Sequence, residues 1–183
     1  EVEKHDPVVE RVVNRLKEME SEGYQFEGAD GSFELLIRKA LGTYKPFFSL
    51  DRFRIIGERP SSNPDTGSMA MVKIVVGDAG EVTAEEGNGP VDALDRGLRK
   101  ALDRFYPRLS EVRLTDYKVR VLDSSAAAGA KVRVLIESTD GRRVWSTVGV
   151  STDIIEASWI ALVDSIEYKL IHDSEEAAAA QAR

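Results

Sequence analysis

The sequence carries one pattern twice, with corresponding positions 64 residues apart. At this offset Asp92-Ala93 aligns with Glu156-Ala157, and Leu98 aligns with Leu162. Each copy has three short segments rich in strand-forming residues, followed by one segment with helical spacing of apolar residues. The sequence therefore predicts an α+β fold of two tandem βββα units with pseudo-two-fold symmetry. Because one face of each sheet needs cover, we expect the copies to pack together, with a second chain as a further cover that would close the core.

The individual elements follow from residue patterns and turn signals. Strands are predicted at 52–59, 69–76, 81–84, 114–122, 131–137 and 143–150. Turns are predicted between the second and third strands of each copy, at 77–80 and 138–141. Ser151-Thr152-Asp153 is typical of a helix cap. The helices are expected to bury Val91, Leu94, Leu98, Ala101, Leu102 and Phe105 in the first copy, and Ile154, Ala157, Ala161, Ile166 and Leu170 in the second.

The residues before the first of these helices, 87–94, read GNGPVDAL. Gly87, Asn88 and Gly89 permit a positive φ, and Pro90 is well suited to the first helical position. The free N–H groups of a helix start can bind a carboxylate or a phosphate. A tight strand-to-helix turn without a ligand explains the same residues, and the local pattern alone favours it.

A small helical region precedes the repeats and is predicted as a linker subdomain over residues 1–50. Apolar residues at Val8, Val12, Leu16 and Met19 predict a helix through residue 22, which Gly23 ends. A second helix is predicted from Asp30 or Ser32 to Leu41. Its inward residues are expected to be Phe33, Leu36, Ile37 and Ala40. Because so few residues cannot form a durable core, we expect this linker to dock on a part of a larger protein outside this chain.

The remaining boundaries come from composition. The region of the two repeats is predicted at 51–173, divided into units at about 51–108 and 112–173. Residues 174–183 (SEEAAAAQAR) have no apolar stripe and are expected to form a disordered tail. Residues 60–68 (PSSNPDTGS) are rich in turn formers and predict a mobile loop. The first seven residues are polar and are expected to be frayed.

Charge and chemistry exclude several classes of protein. The formal charge of −7 and the lack of a basic run argue against nucleic-acid binding. The chain has no cysteine, which excludes disulfides, and its two histidines, His5 and His172, lie near opposite ends. The residues therefore predict neither a metal site nor a catalytic triad, so no catalytic residue is expected in this chain. Asp95 and Arg99, four residues apart on a helix, predict a surface ion pair.

Several ordered motifs resemble one known family. They are 22–30 (EGYQFEGAD), 32–36 (SFELL), 87–94 (GNGPVDAL), 116–122 (DYKVRVL), 145–151 (WSTVGVS) and 154–162 (IIEASWIAL). Together they resemble the linker and C-terminal regulatory region of the citramalate synthase and α-isopropylmalate synthase family, and they are closer to citramalate synthase. The resemblance runs from about Val8 to about Leu170. One departure is at 126–129, where Ala-Ala-Ala-Gly stands in place of a Gly-Thr pair common in the family.

The resemblance implies the context of the chain. In that family an N-terminal barrel carries out the acetyl transfer, using acetyl-CoA and a divalent metal held partly by a His-x-His motif. Neither the barrel nor the motif is in this sequence, so the resemblance implies a fragment without catalysis, metal or cofactor of its own. It further implies a cytoplasmic homodimer in which the linker connects to the barrel of the same polypeptide.

The resemblance also implies a branched-chain amino acid as feedback effector. Asn88, Gly89 and Pro90 would bind its carboxylate, and Asp92 or Asp116 its ammonium group. The residues expected to line the site are Gly87, Val91, Tyr117, Val119, Ala130 and Ile154. For Tyr117 and Ile154 a core position is a strong alternative, because alternating strand residues and inward helix residues usually fill a core. Isoleucine is favoured as the effector, with a leucine sensor of the isopropylmalate branch or a purely architectural dimerisation module as alternatives.

Overall fold

The computed structural model describes residues 7–58, 67–122 and 129–182. The expectations for 1–6, most of the 60–68 loop and 126–128 fall outside these ranges. Within them the elements, in chain order, are α1 (Pro7–Glu22), α2 (Asp30–Ala40), β1 (Ser49–Glu58), β2 (Gly67–Val76), β3 (Ala79–Gly87), α3 (Pro90–Asp103), a short 3₁₀ helix (Pro107–Glu111), β4 (Arg113–Val121), β5 (Val132–Thr139), β6 (Val144–Ser151) and α4 (Ile154–Gln181).

The strands form two antiparallel sheets, ordered β1-β2-β3 and β4-β5-β6, and a helix follows each sheet. This confirms the predicted α+β fold of two βββα repeats. The chain divides into two compact units. One is Pro46–Val112, which holds the first repeat; the other combines Glu1–Lys45 with Arg113–Arg183 and so joins the linker helices to the second repeat.

The repeats match in atomic detail at the predicted offset. In the first repeat the Thr83 hydroxyl on β3 donates to the Gly97 carbonyl on α3 at 2.7 Å. In the second, the Thr147 hydroxyl on β6 donates to the Ala161 carbonyl on α4, also at 2.7 Å. The third strand and the helix of each repeat are therefore joined by the same side chain-to-backbone bond, which satisfies the threonine hydroxyl between the two layers.

Two backbone irregularities repeat as well. The β1–β2 register shifts between Leu50 and Arg52, and the β4–β5 register shifts between Leu114 and Asp116. The turns between the second and third strands each contain a glycine with positive φ. Because both a bulge and a turn recur at the same offset, the duplication extends beyond the hydrophobic pattern.

Each sheet buries one face under its helix. The first core contains Ala70, Val72, Ile74, Ala93, Leu94, Leu98, Ala101 and Leu102, and the second Val134, Ile136, Trp145, Val148, Ala157, Ala161, Leu162 and Ile166. Trp145 donates its indole N–H to the Ser165 hydroxyl at 3.0 Å, so its polar atom is paired inside the core. Most of the predicted inward helix residues are confirmed, but Ile154 is 43% exposed because burial along α4 begins only at Ala157.

The linker helix α2 docks on the outer edge of β6. Asp30 accepts from the Ser146 N–H at 2.9 Å. Ser32 accepts from the Val148 N–H at 3.0 Å and donates to Asp164 on α4 at 2.7 Å. A Cβ at Gly31 would lie 3.0 Å from the Ser146 carbonyl oxygen, so glycine permits this close approach. The expectation that the whole linker docks outside this chain is therefore wrong for α2.

The docking also changes the buried face of α2. Leu35 and Leu36 are buried, whereas Phe33, which was expected to point inward, is 36% exposed. The small residues Gly31 and Ser32 meet the strand edge and so determine which side of the helix faces the protein. None of the 16 residues of α1, all of which are described, is fully buried.

The expectation of a disordered tail from residue 174 is also wrong, because α4 continues through Gln181. Alanine has the highest helix propensity, which favours continuation. Two ion pairs fix the segment to the rest of the unit: Arg38 with Glu175 at 2.7 Å, and Arg143 with Glu176.

Close contact between β6 and α4 yields a stability prediction. A Cβ at Gly149 would lie 2.0 Å from the Ala157 carbonyl oxygen, a backbone atom that cannot move without displacing the helix. Gly149→Ala should lower the free energy of unfolding by about 3 kcal/mol, measured by urea denaturation. Gly57→Ala is the matched control, because a Cβ there meets no atom within 4 Å, and it should change stability by less than about 0.5 kcal/mol. Equal effects of the two substitutions would contradict the close packing.

A buried ion cluster yields a pH prediction. The Lys169 ammonium contacts Asp140 at 2.9 Å and Asp173 at 2.8 Å. Burial raises the pKa of Asp140, but Lys169 and the N–H groups of Arg143 and Arg142 lower it more, leaving this pKa well below its usual range. Because the folded-state pKa is depressed, the stabilisation is present above the unfolded value of about 3.9 and is lost as the pH falls further.

Asp140→Asn removes this titration. The stability advantage of the native chain over the variant should therefore shrink by about 1 kcal/mol between pH 6 and pH 3. Denaturant unfolding of both proteins at each pH measures the difference. A difference independent of pH would show that Asp140 is not held as the charged form.

Candidate functional site

The start of α3 is one half of the predicted effector site. Gly87 ends β3, and a Cβ there would lie 2.4 Å from the Ala93 nitrogen. Gly89 is the N-cap residue, with an extended backbone (φ −168°), and a Cβ there would meet no atom within 4 Å. Neither glycine has the positive φ that the sequence suggested. Gly87 is needed instead because the strand end and the helix backbone approach closely.

The side chain of Asp92 forms hydrogen bonds at this helix start. Its carboxylate accepts from the Asn88 N–H at 2.9 Å and from Arg96 at 2.9 Å. Burial raises the pKa of Asp92, but the Arg96 guanidinium and the Asn88 N–H lower it more, so the group is held charged. Pro90 has no N–H, and the Ala93 N–H donates to the Gly89 carbonyl at 3.0 Å. The Val91 and Asp92 N–H groups remain, and Gly89 supplies no side chain to cap them. The start of α3 therefore keeps donors for an anion, next to a carboxylate that can meet a cation.

The start of α4 has a different chemistry. Its N-cap, Asp153, accepts from the Ile155 N–H at 2.7 Å, as predicted from the Ser-Thr-Asp sequence. Asp153 thus has a negatively charged side chain at the N-cap position, and Gly89, at the equivalent position of the first repeat, has no side chain. Of the two equivalent helix starts, only the one at α3 is suited to a carboxylate ligand.

The second half of the predicted site lies in the second repeat. The Tyr117 and Ser158 hydroxyls are hydrogen-bonded at 2.9 Å, and Ser158 donates to the Ile154 carbonyl at 2.6 Å. Tyr117, Val119 and Val121 share one face of β4 and are all more than one-third exposed, as is Ile154. These four residues form an apolar surface, here called the β4 strip, beside the start of α4. Tyr117 and Ile154 are thus not core residues.

Asp116 and Ala130 do not belong to the exposed β4 strip. Strand alternation points Asp116 to the face opposite Tyr117. Its carboxylate accepts from the Tyr117 N–H at 2.9 Å and pairs with Lys118, whose ammonium group lowers the pKa of Asp116. Ala130 is buried just before β5. The structure therefore links Tyr117 through Ser158 to Ile154, places Val119 on the same strand face as Tyr117, and places Asp116 on the opposite face.

The offset of 64 relates the two halves. Pro90 corresponds to Ile154, and Phe53 and Ile55 on β1 correspond to Tyr117 and Val119 on β4. The corresponding positions differ in exposure, because Phe53 and Ile55 are half-buried where Tyr117 and Val119 are exposed. The predicted site residues, apart from Asp116 and Ala130, lie on the first strand of the second repeat or at the helix start of either repeat.

Sequence patterns misplaced one ion pair and missed one cavity. Asp95 and Arg99 bond at 2.8 Å but are mostly buried, and Arg99 also donates to the Val112 carbonyl at 2.7 Å, so this is no surface pair. Burial raises the pKa of Asp95 against the opposing effect of Arg99.

The missed feature is a cavity between α1, α2 and α4, which contains Asp164. No local motif signals it, because its walls come from distant parts of the chain.

Comparison with known proteins identifies the family. Residues 27–170 match the family model described as the LeuA allosteric (dimerisation) domain. The chain belongs to this family. The match confirms the resemblance seen in the sequence motifs, and the description of this LeuA-type domain supports a regulatory domain that associates with itself.

Relatives of this LeuA-type domain include three bacterial proteins named (R)-citramalate synthase. The one from Geobacter sulfurreducens is 55% identical over 171 residues, covering 93% of this chain and 32% of the relative. Those from Aquifex aeolicus and Synechocystis sp. are 51% and 47% identical, covering 96% and 92% of this chain and 33% and 31% of the relatives. The chain thus spans about a third of the length of the relatives it matches.

Two kinds of feature are missing from the described residues of the domain. No three His, Asp or Glu side chains among them are grouped so that they could hold a metal ion. In the same part of the chain, no helix is both long and apolar enough to cross a membrane.

The hydrogen bonds of Asp92 to Asn88 and Arg96 yield a prediction about stability. Asp92→Ala removes the acceptor of the Asn88 N–H and the partner of Arg96, so it should cost about 1 kcal/mol of stability. Asp103→Ala, at the C-terminal end of the same helix, is the matched control and should not destabilise, because an acidic group is unfavourable at that end. Thermal unfolding measures both variants. Equal stability of native and Asp92→Ala proteins would show that the bonds of Asp92 to Asn88 and Arg96 do not stabilise the start of α3.

Proposed function

We propose that this domain is the effector-sensing and dimerising part of an acetyl-CoA-dependent 2-oxoacid acyltransferase of the (R)-citramalate synthase type. The names of its relatives support this activity for the whole protein. The acyl transfer, with its divalent metal and acetyl-CoA, would belong to a catalytic barrel elsewhere in the same polypeptide. The domain itself would act through binding and association rather than catalysis.

We further propose isoleucine as the effector. The observation that carries this proposal is the uncapped start of α3, where free N–H donors lie beside the charged Asp92. A zwitterionic amino acid presents the complementary pair, a carboxylate for the N–H groups and an ammonium group for Asp92. Val91, the second residue of the helix, is placed to contact an aliphatic side chain. Citramalate leads to isoleucine, so the relatives favour isoleucine over leucine.

The β4 strip supports self-association. Four apolar side chains exposed together in one unit are a surface that another protein surface would cover. The description of the family as a dimerisation domain favours a second copy of this chain as the partner. Tyr117, Val119 and Ile154 would then lie at or near the subunit interface.

Docking of α2 suggests how a signal leaves the domain. Asp30 and Ser32 bond directly to β6, so α2 moves with the second repeat. Effector binding would favour one packing of the dimer, and α2 would transmit the change towards the barrel. A coupling free energy on the order of 1–3 kcal/mol suffices for such regulation.

Gly89→Asp tests the proposed site. The substitution gives α3 the acidic cap that α4 already has, and open space around Gly89 means that the fold should persist. The aspartate would occupy the first-turn N–H groups and repel a ligand carboxylate. Isoleucine binding, measured by calorimetry, should weaken by at least about tenfold, while stability stays equal or rises.

Gly89→Ala is the matched control, because it adds a Cβ without an acceptor or a charge and should keep isoleucine binding. If Gly89→Asp binds isoleucine as well as Gly89→Ala does, the carboxylate is bound elsewhere. A native chain that prefers leucine would belong to the isopropylmalate branch. A native chain that binds none of isoleucine, leucine and valine, yet has a dimer's mass in solution, would be an architectural module.

A further inference from the structure

The cavity between α1, α2 and α4 lies wholly within the unit that holds the second repeat. Its volume is about 550 Å³, within the range of small-molecule sites. Met19, Tyr24, Phe26 and Leu36 supply apolar walls. The rings of Tyr24 and Phe26 stack with their centroids 6.0 Å apart, so the two aromatic side chains support each other at the cavity. An apolar group of substantial size fits such a space.

Asp164 supplies a carboxylate deep in this cavity. Its side chain is only 16% exposed, and it accepts from the Ser32 hydroxyl at 2.7 Å. Its nearest cation is Lys39, at 3.6 Å, which is itself 48% exposed and lies over the Tyr44 ring. Burial raises the pKa of Asp164 against the opposing effects of Lys39 and Ser32. A second cation placed against this carboxylate would therefore stabilise its charged form.

Cations surround the same cavity. Arg11, Arg15 and Lys39 line it, together with Glu18, which pairs with Arg15 at 3.1 Å. With the described residues Arg11 forms no ion pair, so its guanidinium can bind an anion. The cavity thus offers an acidic group, a basic group and an apolar wall.

We propose that this cavity binds an α-amino acid with a large apolar side chain, its ammonium group on Asp164, its carboxylate on Arg11 and Lys39, and its side chain against Tyr24 and Phe26. Each of the three parts of the ligand meets a chemically matched part of the cavity. The site is separate from the start of α3 and from the β4 strip, and it does not depend on the function proposed for them.

Binding here would act on the linker. Ser32, which donates to Asp164, also accepts from the Val148 N–H at the edge of β6. A ligand ammonium on Asp164 therefore lies one hydrogen bond away from the contact that fixes α2 to the sheet. A ligand in the cavity would therefore act directly on the contact between α2 and β6.

Calorimetric titration of the whole chain with L-phenylalanine tests the proposal, with two truncated probes. Phenethylamine lacks the carboxylate and 3-phenylpropionate lacks the ammonium group, so each should bind at least about tenfold more weakly than phenylalanine. Asp164→Asn keeps an acceptor for Ser32 but removes the charge, and it should weaken phenylalanine binding by at least about tenfold. Arg11→Gln, at the exposed rim, should also weaken it and guards against a folding defect in the buried variant.

Gly89→Asp is the control that separates the two sites. It should bind phenylalanine normally, whatever it does to isoleucine, and Asp164→Asn should keep any isoleucine binding at α3. Failure of phenylalanine to bind the native chain would overturn the proposal. Equal binding by the native chain and both cavity variants, or equal binding of 3-phenylpropionate and phenylalanine, would overturn it as well.

Discussion

The hydroxyl group of Ser32 joins three elements that are far apart in sequence. It accepts from the Val148 N–H on β6 and donates to Asp164 on α4, while the serine itself sits in the first turn of α2. An edge strand has unpaired N–H groups, and Asp30 and Ser32 satisfy two of them on β6. Because of these bonds, α2 packs against the second repeat, and Ser32 and Asp164 both line the cavity beside it. The same bonds connect α2 to the sheet in the proposed regulatory path.

The two repeats have equivalent strands and helix starts, but some of the corresponding residues differ. The Thr83 and Thr147 bonds show that strand and helix meet in the same way in both repeats. The helix starts differ, since Gly89 leaves the N–H groups of α3 uncapped while Asp153 caps α4. On the function proposed above, the first repeat would bind the effector carboxylate and the second would contact a protein partner. Such a division would fit a family described as both allosteric and dimerising.

The hydrophobic periodicity predicted the fold because each element meets its neighbours within its own repeat. The positions of the strands, the starts of the repeat helices and most of the buried helix residues depend on local alternation and spacing, which one sequence displays. Phe33 and Ile154 were assigned to the core by the same reasoning and are exposed, because burial also depends on where a helix meets the sheet. Within the candidate site, Gly87 and Asp92 were singled out from the motif, but the sequence could not show that Asp92 bonds back to Asn88.

The sequence by itself determined the duplicated βββα architecture and the family, since both rest on patterns that recur along the chain. Only the tertiary structure decided that α2 docks on β6, that α4 runs on to Gln181 and that Asp164 lies in a cavity. Each of these involves a pair more than 100 residues apart, such as Ser32 with Asp164 or Arg38 with Glu175. Such contacts produce no periodic pattern in the sequence. Each partner hydrogen-bonds to a backbone group or pairs with a charge that comes close only when distant segments fold together.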